Sequence, residues 1–158
     1  MNKAASISVR EARESDLEAL LTAQKAAFMR YTDFLQPEQL PPLNESIDQV
    51  RTDLRLKTIL VSENGSGIAG SIRYSVKAGV CIIERLSVIP KQQGKGVGRA
   101  LVKAVEERAE GKAHKIYLET GLLAHNLLLF YTKLGYSGEA ILRNHFGRHD
   151  WIVFSKFI

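Results

Sequence analysis

The stretch Glu84-Arg85-Leu86-Ser87-Val88-Ile89-Pro90-Lys91-Gln92-Gln93-Gly94-Lys95-Gly96-Val97-Gly98-Arg99-Ala100-Leu101-Val102 constrains this chain more than any other. It reads as an apolar strand, a turn opened by Pro90, a glycine-interrupted loop and a helix. Glycines at 94, 96 and 98 strip side chains from the entry of that helix, so a ligand can lie against backbone N–H groups. A helix N-terminus presents unpaired donors and the positive end of the dipole, which favours an anion and above all a phosphate. Lys95 and Arg99 add two cations at the same point. The stretch therefore reads as the holder of the pyrophosphate of a nucleotide-like cofactor. The bland alternative is a glycine-rich turn capping a core helix.

Spacing separates the known phosphate loops. A P-loop requires Gly-Lys-Ser/Thr, with the hydroxyl on Mg²⁺; here Lys95 is followed by Gly96, and that reading fails. A dinucleotide fingerprint requires Gly-x-Gly-x-x-Gly directly after a strand and an acid about twenty residues on. Glu119 meets the second condition, but Arg99 or Leu101 stands where the third glycine belongs, and Pro90 to Gln93 intervene between strand and loop. The tail after Glu119 is too short to complete a doubly wound sheet.

Gln93-Gly94-Lys95-Gly96-Val97-Gly98 resembles the Gln/Arg-x-x-Gly-x-Gly/Ala loop of the GNAT superfamily of N-acetyltransferases, and Phe130-Tyr131-Thr132-Lys133-Leu134-Gly135-Tyr136 resembles that family's second signature. The two stand in the family's order, and the resemblance spans nearly the whole chain. It implies an α+β fold of three layers, with a mixed, mostly antiparallel sheet of six to seven strands. Helices cover both faces, and one parallel β-α-β crossover lies at the cofactor loop. It also implies acetyl transfer from acetyl-coenzyme A to a primary amine.

The chain in order agrees with one domain over 1–158. Ser6 to Arg10 alternates as a strand, and Ser15-Asp16-Leu17-Glu18 has the form of a capping box opening a helix to about residue 31. Pro37, Pro41 and Pro42 argue against regular helix, and a second helix starts near Asn44 or Ser46. Thr58–Ser62, Ile68–Val76 and Val80–Val88 read as three antiparallel strands joined by turns at Asn64-Gly65-Ser66-Gly67 and Lys77-Ala78-Gly79. A helix then runs from Val97 to near Gly111, followed by a strand at Lys115–Glu119 in a right-handed crossover. A short helix from His125 to Leu134 closes at Gly135, and Tyr136–Arg143 with Trp151–Phe157 forms a final antiparallel pair.

Composition sets the outer bounds. With 158 residues, 45% hydrophobic and 25% charged, the chain can bury a core of its own. One cysteine, Cys81, excludes a disulfide framework and a multi-cysteine metal site and suits a reducing cytosol. No leader pattern and no run near the roughly eighteen apolar residues of a membrane span is present, so a soluble, cytoplasmic protein without metal or membrane partner is expected. The net charge of +5 is scattered. Polyphosphate binding accounts for part of it, and nucleic acid is not expected as a partner.

Acetyl transfer to an amine needs a positioned thioester, a neutral amine, a donor for the developing oxyanion and a proton for the leaving thiolate. With an alkylammonium near about 10.4 and a thiol near about 8.5, both proton problems exist at neutral pH. The resemblance places Tyr131 as the proton donor; the competing reading is core packing with Phe130 and Leu134. Glu84, on the strand before the loop, is the candidate base, with solvent or a structural pairing to Arg85 or Arg73 as alternatives. The resemblance further implies backbone pairing of Leu86, Ser87 and Val88 with the pantetheine arm. Gln93, Gly94, Lys95, Gly96, Val97, Gly98 and Arg99 would hold the pyrophosphate, and Asn126 would contact the coenzyme, although the family spacing falls on Ala124. Phe28 and Tyr31 lie on the expected acceptor wall. Glu119 reads as a structural or substrate-orienting acid. Arg73 is either a contact for an acidic group on the acceptor or a strand arginine with its head in water. His125, His145 and His149 are assigned to surface or core. The acceptor is a small amine, a peptide N-terminus or a lysine, and the family's habit of pairing through late strands allows a homodimer. A non-catalytic acyl-coenzyme A sensor is the rival reading, and an RNA-associated basic domain the third.

Overall fold

The computed structural model describes residues 7–158, so Ser6, the expected start of the first strand, lies outside the described residues. Seven strands form one sheet in the order β1-β2-β3-β4-β5-β7-β6. They are β1 (Ser8–Glu11), β2 (Thr58–Asn64), β3 (Gly67–Lys77), β4 (Val80–Val88), β5 (Lys115–Gly121), β6 (Ser137–Leu142) and β7 (Trp151–Phe157). Every neighbouring pair is antiparallel except β4 and β5. β7 inserts between β5 and β6, an order that the consecutive reading of the last two strands does not contain. The hairpin between β3 and β4 turns on Ala78 (φ 49°) and Gly79 (φ 78°), the two positive φ values of a tight turn matched to strand twist.

Five helices occur among the described residues: α1 (Leu17–Phe28), α2 (Pro41–Asn44), α3 (Ile47–Leu56), α4 (Val97–Ala109) and α5 (His125–Lys133). The expected capping box at Ser15 is not formed. A 3-10 turn, Glu14–Asp16, precedes α1 instead, and the Arg13 N–H donates to Asp16 Oδ2 at 2.7 Å. Nor does α1 run to residue 31 as α-helix, since it tightens into a 3-10 segment over Met29–Asp33. The prolines also do less than expected. Pro41 opens the one-turn helix α2, because a helix's first turn has no internal use for the missing N–H. α3 carries a complete capping box, with Ser46 Oγ accepting from Gln49 N–H and the Gln49 side chain accepting from Ser46 N–H.

Alternation along each strand sorts the core. Leu60, Ile72, Ile83, Ile116 and Leu118 face α4 and α5, where Leu101, Val102, Val105 and Tyr131 join them. Ile59 and Val61 face the other way, against Leu17 and Leu20 of α1 and Val50 of α3. A third cluster of Tyr31, Leu35, Leu40 and Ala124 fills the end of the sheet between α1 and α5. That end carries the site.

Candidate active site

Register decides where the sheet opens. β4 and β5 pair from Val80/Lys115 to Ile83/Leu118 and no further. Beyond that, β4 follows β3 to Val88 and β5 follows β7 to Gly121, so the two strands splay. The first residues past the last pair are Glu84 and Glu119, in equivalent register on the face opposite Ile83 and Leu118. Two cavities meet at the splay point and share Phe28, Tyr31, Leu86 and Leu127 as walls.

The larger cavity, about 580 Å³, runs over the glycine loop. Leu86, Ser87 and Val88 offer it the strand edge that β5 has left, and Gln93, Gly94, Gly96, Gly98 and Arg99 line its far end. Gly94 and Gly96 have φ of 74° and 90°, and Gly96 is the left-handed N-cap of α4. The first helical bond runs from Ala100 N–H to Gly96 O, so the N–H groups of Val97, Gly98 and Arg99 have no partner within the helix. A Cβ on Gly94 would meet open space. This is a cradle that fits a pyrophosphate.

The three glycines do not act alike, however. Gly98 already lies in the helix, and a Cβ there would come 3.3 Å from Phe130 Cζ; its absence lets α5 pack on α4. The Val97 side chain is buried in the core and Lys95 points to solvent outside the cavity lining, so only their backbone and long-range charge bear on a ligand. Gln93 donates its amide to Val88 O at 2.9 Å, taking one lone pair of a carbonyl expected to pair with the pantetheine arm.

The smaller cavity, about 100 Å³, is walled mainly by apolar and aromatic side chains, with Gln39, Glu84, Arg85, Glu119, Thr120 and His149 as its polar or charged lining. Tyr131 lies at its base, fully buried and in edge contact with Phe130 (5.0 Å) and Tyr136 (5.6 Å). Its hydroxyl makes no hydrogen bond among the described residues, and burial, assisted by Tyr31, pushes the phenol well above its ordinary range. Tyr131 is thus both core aromatic and cavity wall.

Glu84 is held by Lys57 Nζ at 2.8 Å. Desolvation alone would lower the Lys57 pKa, but the bond and charge of Glu84 and the nearby Asp53 outweigh it and raise it. Glu119 accepts a short hydrogen bond from the Tyr117 hydroxyl and has His145 Nε2 at 3.4 Å. Burial and that acceptor push the Tyr117 phenol up to about 12. Asn126 and the Tyr31 hydroxyl lie 3.4 Å apart, bridging α5 and the segment after α1 where the two cavities join.

Arg73 is corrected on both readings. Its guanidinium is 1% exposed and outside both cavities, bonded to Glu45 (2.9 and 3.1 Å), Asp53 (2.7 Å) and Gln24 (2.7 Å). It neither reaches water nor lines either cavity, because the α2–α3 junction supplies Glu45 and α3 supplies Asp53 to pair with it.

The structure adds residues that spacing did not mark. Arg30 reaches across the cleft to Gln93 Oε1 at 2.8 Å, where Phe130 and Lys133 of the second signature complete the wall. Gln39, Leu127, His149 and Trp151 enter the smaller cavity from four separate elements. No linear pattern signals them, since the chain brings them together only through the insertion of β7 and the fold-back after α1.

Two cavities joined at one point in the sheet suit transfer between two bound molecules. Residues 17–136 match the model of the Acetyltransferase (GNAT) family, and the chain belongs to that family and is an acyltransferase. No curated protein matches the sequence significantly. Among solved structures, the fold is similar to smu.2055 from Streptococcus mutans UA159 (22% identity, TM-score 0.80, covering 95% of this chain and 98% of that one). It is also similar to the ribosomal-protein-S18-alanine N-acetyltransferase from Escherichia coli (19%, 0.80, 97% and 94%). A third is the PaiA N-acetyltransferase from Thermoplasma acidophilum, solved in complex with coenzyme A (19%, 0.84, 97% and 99%). No described helix is long and apolar enough to cross a membrane, and no metal-ligand cluster occurs among the described residues.

Proposed function

We propose that this enzyme moves the acetyl group of acetyl-coenzyme A to a primary amine by direct attack, with both molecules bound at once. The observation that carries the reading is the junction of the two cavities at the β4–β5 splay. The glycine loop, Arg99 and Arg30 hold the pyrophosphate end, and the free edge of Leu86 to Val88 orients the arm. The thioester supplies an activated acetyl group, and the chain supplies position and protons. Tyr131 stays protonated at neutral pH and donates to the leaving thiolate from the cavity base. Glu84, whose geometry Lys57 fixes, takes the proton of the amine directly or through solvent. Glu119 lies across the splay and orients the ammonium before it is deprotonated. The lone, buried Cys81, its thiol pushed up to about 11 by burial, takes no part, and suits a reducing compartment such as the cytoplasm.

The test is thiol release from acetyl-coenzyme A in the presence of an amine panel, with Tyr131→Phe as comparison. Loss of a general acid costs about 10²–10⁴ in kcat, with affinity for acetyl-coenzyme A unchanged. Undiminished turnover in Tyr131→Phe would contradict the assigned proton donor. Coenzyme binding without release to any amine would favour the sensing module.

A further inference from the structure

Resting on the acetyl-transfer reading, we propose that the acceptor is a compact free amine with an apolar body and one polar group read by His149, and that polypeptide chains are excluded. The two segments rimming the smaller cavity are bonded to each other above it. Gln39 donates its amide to Gly147 O at 2.7 Å, while its own carbonyl oxygen accepts from Gln36 N–H at 2.9 Å, so both ends of the carboxamide are engaged. At Gly147, with φ of 70°, a Cβ would lie 2.6 Å from the backbone oxygen of Gln39, so the two backbones are in direct contact. The 143–150 loop is braced from within by Trp151 Nε1 donating to Phe146 O (2.9 Å), Asn144 N–H to Asp150 Oδ1 (2.9 Å) and His145 N–H to His149 O (2.9 Å). An extended peptide entering between the rims needs about 4.7–4.9 Å of strand spacing on each side. The contact leaves none between these rims, and the cavity of about 100 Å³ beneath them suits one small body.

The polar lining says what that body carries. Glu119, and Glu84 with its Lys57 partner at 2.8 Å, put carboxylates at the splay end, and Arg85, paired with Glu45 at 3.2 Å, is turned to a carboxylate of its own. The splay end therefore receives the ammonium. At the other end, both ring nitrogens of His149 are buried without a partner among the described residues. The ring lies tilted against Trp151 at 5.5 Å, and its Cε1 would be 3.0 Å from a Cβ on Gly121. Desolvation lowers its pKa and keeps it neutral, with one nitrogen donating and the other accepting. A buried unpaired polar atom is costly, and a hydroxyl on the acceptor relieves that cost once a small turn of the ring presents a nitrogen to the cavity it lines. Gly121 is two residues beyond Glu119 on the same strand face, or about 7 Å, which sets the separation between amine and hydroxyl.

The experiment titrates the protein, saturated with coenzyme A, with tyramine, phenethylamine and an alanine-initiated hexapeptide, and in parallel assays follows acetyl transfer from acetyl-coenzyme A to each. It is repeated in Gln39→Ala and His149→Phe. Expected are binding and acetylation of tyramine, with kcat/KM about tenfold above phenethylamine for the recovered hydrogen bond and far above the peptide. His149→Phe should erase the tyramine advantage through KM with kcat retained, and Gln39→Ala should raise the rate with peptide. A peptide equal to or better than the amines, no binding of either amine, or an unchanged tyramine advantage in His149→Phe overturns the inference. Failure of the unmodified protein to bind coenzyme A would defeat the acetyl-transfer reading itself and this inference with it; coenzyme binding with peptide preference defeats only this one.

Discussion

Replacing Arg73 with methionine tests the buried charge network that joins the acceptor wall to the sheet. The guanidinium is 1% exposed and neutralises Glu45 and Asp53, while Gln24 ties the same group to the Pro42 carbonyl at 2.9 Å. Removing one partner of a buried ion pair costs about 3–5 kcal/mol because the remaining charge stays desolvated. Here each carboxylate keeps a second partner, Arg85 at 3.2 Å for Glu45 and Lys57 at 3.3 Å for Asp53, which places the loss near the lower end. About 3 kcal/mol in a chain of this size corresponds to a fall in Tm of roughly 6–12 °C. The pH dependence adds a second arm. Burial alone would raise the Glu45 pKa, but the bonds from Arg73 and Gln24 and the charges of Arg73 and Arg85 outweigh it and hold the carboxyl below its ordinary range. A depressed carboxyl contributes stability that is present above its unfolded pKa, about 4.3, and is lost as pH falls through the folded value. The gap between the two proteins should therefore be widest at neutral pH and narrow on acidification below about pH 4.3. Urea unfolding followed by circular dichroism at several pH values measures it. A neutral-pH loss under about 1 kcal/mol, or a gap that widens in acid, would refute the reasoning.

Glu84→Gln should lower kcat/KM by about 10²–10⁴ at neutral pH, as loss of a general base does, and pH–rate profiles check it; a rate within about twofold of the unmodified enzyme would assign the proton to solvent. Gly98→Val places methyl groups where even a Cβ is 3.3 Å from Phe130, so α5 is pushed off α4. Thermal denaturation should show a loss of about 1–3 kcal/mol together with a raised KM for acetyl-coenzyme A, because Phe130 also walls the cleft.

What could be read from the chain was whatever has a local cause. Strand alternation, the start of the helix near Ser46 and the glycines at 94 and 96 depend on near neighbours, and they stand where the periodicity puts them. The crossover followed too, since a strand, a glycine loop and a helix before another strand leave one right-handed solution. Residues whose surroundings are made by distant segments were illegible. Arg73 looks like any strand arginine until Glu45 arrives from the α2–α3 junction and Asp53 from α3. Gly98 looks like a third cradle glycine until α5 packs against it. His149 acquires its neighbours only because β7 enters between β5 and β6 and swings the preceding loop over the cavity.

The most direct measurement is a calorimetric titration of the purified protein with acetyl-coenzyme A, beside Arg99→Glu and, as a control for net charge, Lys112→Glu. Arg99 lines the cleft, while Lys112 is exposed beyond the far end of α4. The account predicts micromolar binding by the unmodified protein and by Lys112→Glu. Arg99→Glu should weaken it about tenfold or more, the scale of one hydrogen bond to a charged group. Absence of binding, or equal weakening by both substitutions, would contradict the placement of the pyrophosphate on the glycine loop.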